Sequence, residues 1–264
     1  MCEEVVTLRK FLVLFVVMLA LVLTSGVASA ERVKVTEGIF ADLHSFDVPA
    51  PLLPPGVAGD IEPAVLEYVS VDDVLGKISV LGFSAADFKA GANGEALLAD
   101  DVALEAVKAA TGKDQDAFLL PVFQAQLTNP GKVAAVGFSL EEAQLYGIAE
   151  YPQDLLVVKV FPDKSVDRFY YAGTPEEFGD KAFTLLYDDG KFVEVLEDSD
   201  EELQLVLFIK DGGEFDLYAP MGMVVDPTVL TRAVHSKSGG CDAGFGFAAV
   251  ALLGAVALVA KKRK

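Results

Sequence analysis

The chain has 264 residues, 52% of them apolar, and its 40 Asp and Glu against 21 Lys and Arg give a formal charge of −19. A surface this acidic repels nucleic acid and anionic lipid head groups, which excludes nucleic acid as a partner. Two Cys, two His and no Trp leave few parts for a His–Cys pair or a metal site, which needs three or four converging ligands.

In chain order, Arg9 and Lys10 precede an apolar run over 11–23, followed by Thr24-Ser25-Gly26-Val27 and then Ala28-Ser29-Ala30. The pattern predicts a secretory signal peptide over 1–30, cut by signal peptidase after Ala30, with Ala28 and Ala30 as the small residues of the cleavage site. A permanent N-terminal anchor would need about 20 apolar residues, more than this run supplies. Cys2 leaves with the segment, so Cys241 is the one cysteine of the exported chain, which can form no internal disulfide. All acids except Glu3, Glu4 and Asp242 fall within 31–240, where 15 basic residues oppose them. The exported part thus carries about −22, enough to draw divalent cations diffusely without forming a site.

Residues 31–115 read as a mixed, mainly helical region. A strand-like Arg32-Val33-Lys34-Val35 leads to a stiff loop with Pro49, Pro51, Pro54 and Pro55. Asp60-Ile61-Glu62-Pro63 and Ser70-Val71-Asp72-Asp73 both supply helix N-cap oxygens, the second followed by Val74, Ile78 and Leu81 at helical spacing. Asp100 and Asp101 precede Val102, Leu104, Ala106, Val107 and Ala110, and Gly112 is the expected stop. Gly91-Ala92-Asn93-Gly94 reads only as a turn.

From residue 116 to 234 the texture changes to short apolar runs broken by turn residues. Strands are expected over 118–127, 132–138, 155–161, 168–171, 181–187, 191–196, 203–210 and 214–217. Asp188-Asp189-Gly190 and Asp211-Gly212-Gly213 supply hairpin turns, because Gly accepts a positive φ. About eight strands with no long helix between them predict a mainly β fold, an antiparallel immunoglobulin-like β-sandwich after the small helical region. Alternation sends Tyr170 to the opposite face from Phe169 and Tyr171.

Residues 235–264 form a stem and a tail: Ser238-Gly239-Gly240-Cys241-Asp242-Ala243-Gly244, an apolar run to Ala260, then Lys261, Lys262, Arg263 and Lys264. As a transmembrane helix, 243–260 would span roughly 27 Å at about 1.5 Å per residue, just short of a hydrocarbon core of about 30 Å. The basic end is expected on the cytoplasmic side. This layout resembles the Synergist-CTERM protein-sorting domain, over about a tenth of the chain, with Asp242 where similar tails often carry Asn. The resemblance implies an exported bacterial protein of a diderm envelope, recognised by a dedicated intramembrane sorting protease. It also implies processing at Gly239, Gly240, Cys241, Asp242, Ala243 and Gly244, and lipid attachment through Cys241. A plain C-terminal membrane tether is the alternative.

Chemistry is sparse between the two ends. His44 sits in a loop-like segment and His235 in the stem; there is no Gly-x-Ser-x-Gly elbow and no phosphate-cradling loop. Among the acids of 197–202, Asp198, Asp200 and Glu202 offer hard oxygen ligands to calcium, but the run lacks the Gly and distal Glu of an EF-hand. A solvated loop that discourages edge pairing explains it as well. No catalytic residue and no cofactor emerge. The expected role is that of a non-enzymatic, surface-anchored envelope protein, structural or adhesive, with an external ligand the residues do not name. The alternative is a solute- or glycan-binding module, and third a carboxylate-dependent hydrolase. A structural role predicts no pocket and a self-complementary surface patch; a binding module predicts a concave site of about 300 to 1,000 Å³ with exposed aromatics.

Overall fold

A computed structural model describes residues 33–37, 43–45, 59–78, 82–218 and 222–234. The expected signal peptide, His235 and the whole expected sorting tail with its expected transmembrane helix lie outside these residues. Among the described residues no helix is long and apolar enough to cross a membrane.

The fold is mainly β, with sixteen strands and three α-helices among the described residues. The first part contributes β1 (Val35–Glu37), β2 (Leu43–Ser45), β3 (Ile61–Pro63), β4 (Val65–Tyr68), α1 (Val71–Ile78), β5 (Phe88–Ala90), β6 (Ala96–Leu98) and α2 (Asp100–Thr111). Next come β7 (Ala117–Leu119), β8 (Phe123–Gln126), β9 (Val133–Glu141), α3 (Glu142–Tyr146), β10 (Leu155–Val160), β11 (Val166–Arg168) and β12 (Tyr170–Tyr171). The chain finishes with β13 (Ala182–Tyr187), β14 (Glu202–Lys210), β15 (Met223–Asp226) and β16 (Thr228–Arg232).

The first sheet runs β1-β7-β16-β10-β11 and the second β12-β13-β14-β9-β2, with β3 also on β9; β15-β8-β4 and β5-β6 complete the set. Most neighbours are antiparallel, but β1 with β7, β12 with β13 and β3 with β9 are parallel. The sheets are therefore mixed, where a wholly antiparallel arrangement was expected. β1 with β7 and β3 with β9 join segments far apart in the chain, as parallel neighbours usually do, while β12 and β13 are linked by 172–181 alone.

Burial divides along the pleat. In β10, Leu155 and Val157 enter a central core with Phe138, Leu140, Phe183, Leu205 and Leu207 of the second sheet. Leu156, Val158 and Val160 point the other way, against Val102, Ala103, Ala106 and Val107 of α2. The first sheet is thus covered on both faces, which is why its strands are apolar at successive positions instead of alternating. The second sheet's outer face holds Ala135, Leu186, Val206 and Phe208, roofed by Ile61, Ala172 and Phe178.

Several local expectations change. Asp60-Ile61-Glu62-Pro63 enters a strand, not a helix, because the edge of β9 is open to it and Val133 donates its amide to the Asp60 carbonyl. Ser70 does start α1, accepting the Asp73 amide at 3.2 Å while its hydroxyl donates to that carboxylate at 2.8 Å. In α2 the cap position is Ala99; Asp100 and Asp101 sit inside the first turn, where their charge complements the helix dipole. Gly112 ends that helix in the left-handed region at φ 73°. The run 118–127 splits into β7 and β8, consistent with the amide hydrogen that Pro121 lacks.

The turn at Asp188-Asp189-Gly190 forms, with Gly190 at φ 80°. The return stretch 191–196 makes only one bridge, Leu186 with Phe192, since β12 already occupies the start of that edge of β13. At 214–217 no strand forms: Gly213 closes a turn on Lys210, and Asp216 folds back to accept the Gly212 amide. β15 and β16 were not anticipated as strands, although β16 lies at the centre of the first sheet.

Candidate functional site

The all-apolar run of β10 contains one exception, Lys159. Alternation places it on the inner face with Leu155 and Val157, and its register partner across β16 is Thr228. Asp226 closes β15 on the same inner side as Val224. Lys159 Nζ meets Asp226 Oδ1 at 2.6 Å, and both side chains are 0% exposed. The Thr228 hydroxyl donates to the same oxygen at 2.7 Å. Asp226 Oδ2 is buried with no donor among the described residues. Burial drives the Lys159 ammonium below the usual lysine range, against the pull of Asp226 and Asp216.

Beyond Val160 the chain leaves the core through a tight turn. Phe161 donates to the Ser165 carbonyl at 3.0 Å, and the Asp163 carboxylate accepts both the amide and the hydroxyl of Ser165. Those bonds hold Asp163 below its ordinary pKa, so it is ionised at neutral pH. The turn after β14 faces it. Phe161, Pro162, Asp163 and Ser165 from one side, with Glu214, Asp216 and Leu217 from the other, line a concavity of about 540 Å³.

Electrostatics distinguish the three rim acids. Glu214 is already engaged by Lys181 at 2.5 Å, and that ammonium also lies 4.6 Å from the Phe215 ring centre. Asp216 accepts backbone amides from Gly212 and Tyr218 at 2.9 Å and from Val225 at 3.4 Å. Burial nevertheless pushes its carboxyl up to about 6, with the nearby charge of Asp211 adding to the rise. Asp163 and Asp216 therefore present the unneutralised negative charge, against walls of Phe161, Pro162 and Leu217.

A second concavity, of about 490 Å³, includes Lys34, Asp116, Gln144, Thr231 and Arg232. Several of its polar groups bond to one another: the Lys34 amide donates to Asp116 at 2.6 Å, Thr231 to the Asp116 carbonyl and Gln115 to the Arg232 carbonyl, while Gln144 Oε1 is buried with no donor among the described residues.

Of the residues singled out from sequence, Asp198 and Asp200 are exposed loop residues and Glu202 is an exposed residue opening β14. Among the described residues no three His, Cys, Asp or Glu side chains converge as a metal would require. The acidic loop is instead organised by the buried Glu142, which accepts the Glu197 amide at 3.0 Å and the Ser199 hydroxyl at 2.5 Å. His44 lies on β2 opposite Gly137. Ala28, Ala30 and the residues expected from sequence to direct sorting, Gly239, Gly240, Cys241, Asp242, Ala243 and Gly244, fall outside the described residues. Sequence reasoning missed Lys159, Asp216 and Asp226; the signal available was a lone lysine inside Leu-Leu-Val-Val-Lys-Val-Phe. Compared with known protein families, curated proteins and solved structures, the chain matches none.

Proposed function

We propose that this chain is an exported, non-enzymatic binding module of the bacterial cell envelope, held there by its C-terminal tail, and that its sandwich-like body takes a small organic cation. The observation that carries the reading is the concavity of about 540 Å³ with Asp163 and Asp216 on its rim and Phe161, Pro162 and Leu217 as walls. Its volume lies within the range of small-molecule sites. An amine or quaternary ammonium head would face the two carboxylates, and its alkyl or ring body would cover the apolar walls. The Phe161 ring adds a favourable cation–π surface.

Calorimetric titration with a series of alkylammonium ions and neutral sugars tests this. The expected result is saturable binding of the cations, weakened at least tenfold in Asp163→Asn/Asp216→Asn; preference for neutral sugars would reject the cation assignment. Address is tested separately by the mass of the C-terminal peptide of protein from its native host. A peptide ending near Cys241 and carrying a lipid supports sorting, and one ending at Lys264 with a free thiol leaves a plain tether. A structural or adhesive role is the second reading. It is favoured by β4, at the edge of its three-stranded sheet, where Val65 is 68% and Tyr68 41% exposed.

A further inference from the structure

The buried Lys159–Asp226 contact lies in a protein whose exported part has a single cysteine and so no internal disulfide. Two charges fully removed from water are costly unless every remaining polar atom is satisfied. Here one is not: Asp226 Oδ2 has no donor among the described residues. On the same faces of β10 and β15, Val157 and Val224 belong to the apolar core that also holds Phe169 and Phe215, and Asp216 acts on Lys159 from nearby. An amine, a carboxyl group at 2.6 Å and a hydroxyl donating to the same carboxyl are the parts of an acyl transfer held in contact, the arrangement in which proximity most accelerates a reaction.

We propose that Lys159 and Asp226 condense into an intramolecular amide, a covalent tie between β10 of the first sheet and β15 of the third. The balance closes without an oxidant or co-reactant. The ammonium passes one proton across the 2.6 Å contact, leaving a neutral amine and a neutral acid. Burial favours this exchange by holding Lys159 below the usual lysine range. The Nζ lone pair attacks Cγ and forms the C–N bond. The bond from Cγ to Oδ1 breaks, and that oxygen, which received the first proton across the contact, takes the second from the nitrogen and departs as water. Oδ2 stays as the amide carbonyl. The Thr228 hydroxyl touches the departing oxygen and, by donating to it, eases the breaking of its bond to Cγ. The product replaces a buried ion pair with one neutral amide. This inference does not depend on the ligand reading above.

The test is peptide mapping of the folded full-length protein. Trypsin has no site within 133–158, and 211–232 is bounded by Lys210 and Arg232. The expected product is 133–164 joined to 211–232, uncleaved at Lys159 and lighter by one water than the two peptides together. Asp226→Ala should abolish the joined species. Since that variant risks unfolding, Thr228→Val, which keeps the shape, should fold normally while joining about a hundredfold more slowly. Recovery of both peptides unjoined from the folded wild-type protein, with Lys159 cleaved, overturns the proposal. Equal joining rates in Thr228→Val and wild type overturn the role given to Thr228.

Discussion

Asp216 couples the rim of the concavity to the buried charges behind it. Its carboxyl titrates at about 6 in the folded protein against an ordinary 3.8, so between these values the folded state binds the proton that the unfolded state releases. Stability from this group is therefore present below pH 4, falls as pH rises to about 6, and stays lost above. Urea midpoints measured across that window should show the wild type losing ground relative to Asp216→Asn as pH rises from about 4 to about 6. Cation binding should run the opposite way. Affinity at pH 5 is expected to be about tenfold below that at pH 7, because the rim carboxylate must be ionised. An affinity independent of pH would remove Asp216 from the site.

At the scale of elements, the short helix α3 fastens the most acidic loop of the chain. Glu142 is 1% exposed and receives donors from Glu197 and Ser199, while its own amide donates to the Glu201 carbonyl. Its carboxylate thereby satisfies a segment that carries Glu197, Asp198, Asp200 and Glu201 without a regular ladder, just ahead of β14. Glu142→Ala strands those donors and should cost about 1–3 kcal/mol. Hydrogen exchange at residues 197–201 should speed up while the centre of β14 stays protected. Uniform loss of protection across β14 would show that the loop is held by the strand and not by Glu142.

The described residues are knit together across long sequence separations. β3 pairs with β9, β4 with β8 and β1 with β7, and α2 covers the outer face of the first sheet. A single cooperative unfolding transition is expected, with far-ultraviolet dichroism and tyrosine fluorescence coincident in urea; an earlier separate loss of helix would contradict it. The mainly β character was legible because runs such as 203–210 are short, apolar and bounded by turns. The pairing was not. Parallel neighbours such as β1 and β7 join residues about eighty positions apart, and no local pattern encodes that. The helical reading of Asp60-Ile61-Glu62-Pro63 failed for a similar reason: an open edge on β9 takes these residues as a strand, and the Asp60 carboxylate meets Lys132 instead of capping a helix. Around the site, Lys159 was visible as a lone charge in an apolar strand. Its partner could not be read, since Asp226 lies in the segment before Pro227 that gave no strand signal.

The most direct measurement is a solution NMR titration of the isotope-labelled protein with an alkylammonium ion. Saturable shifts confined to Phe161, Ser165, Asp216, Leu217 and their neighbours are predicted. Shifts absent, or spread evenly over the acidic surface without saturation, would contradict a built binding site.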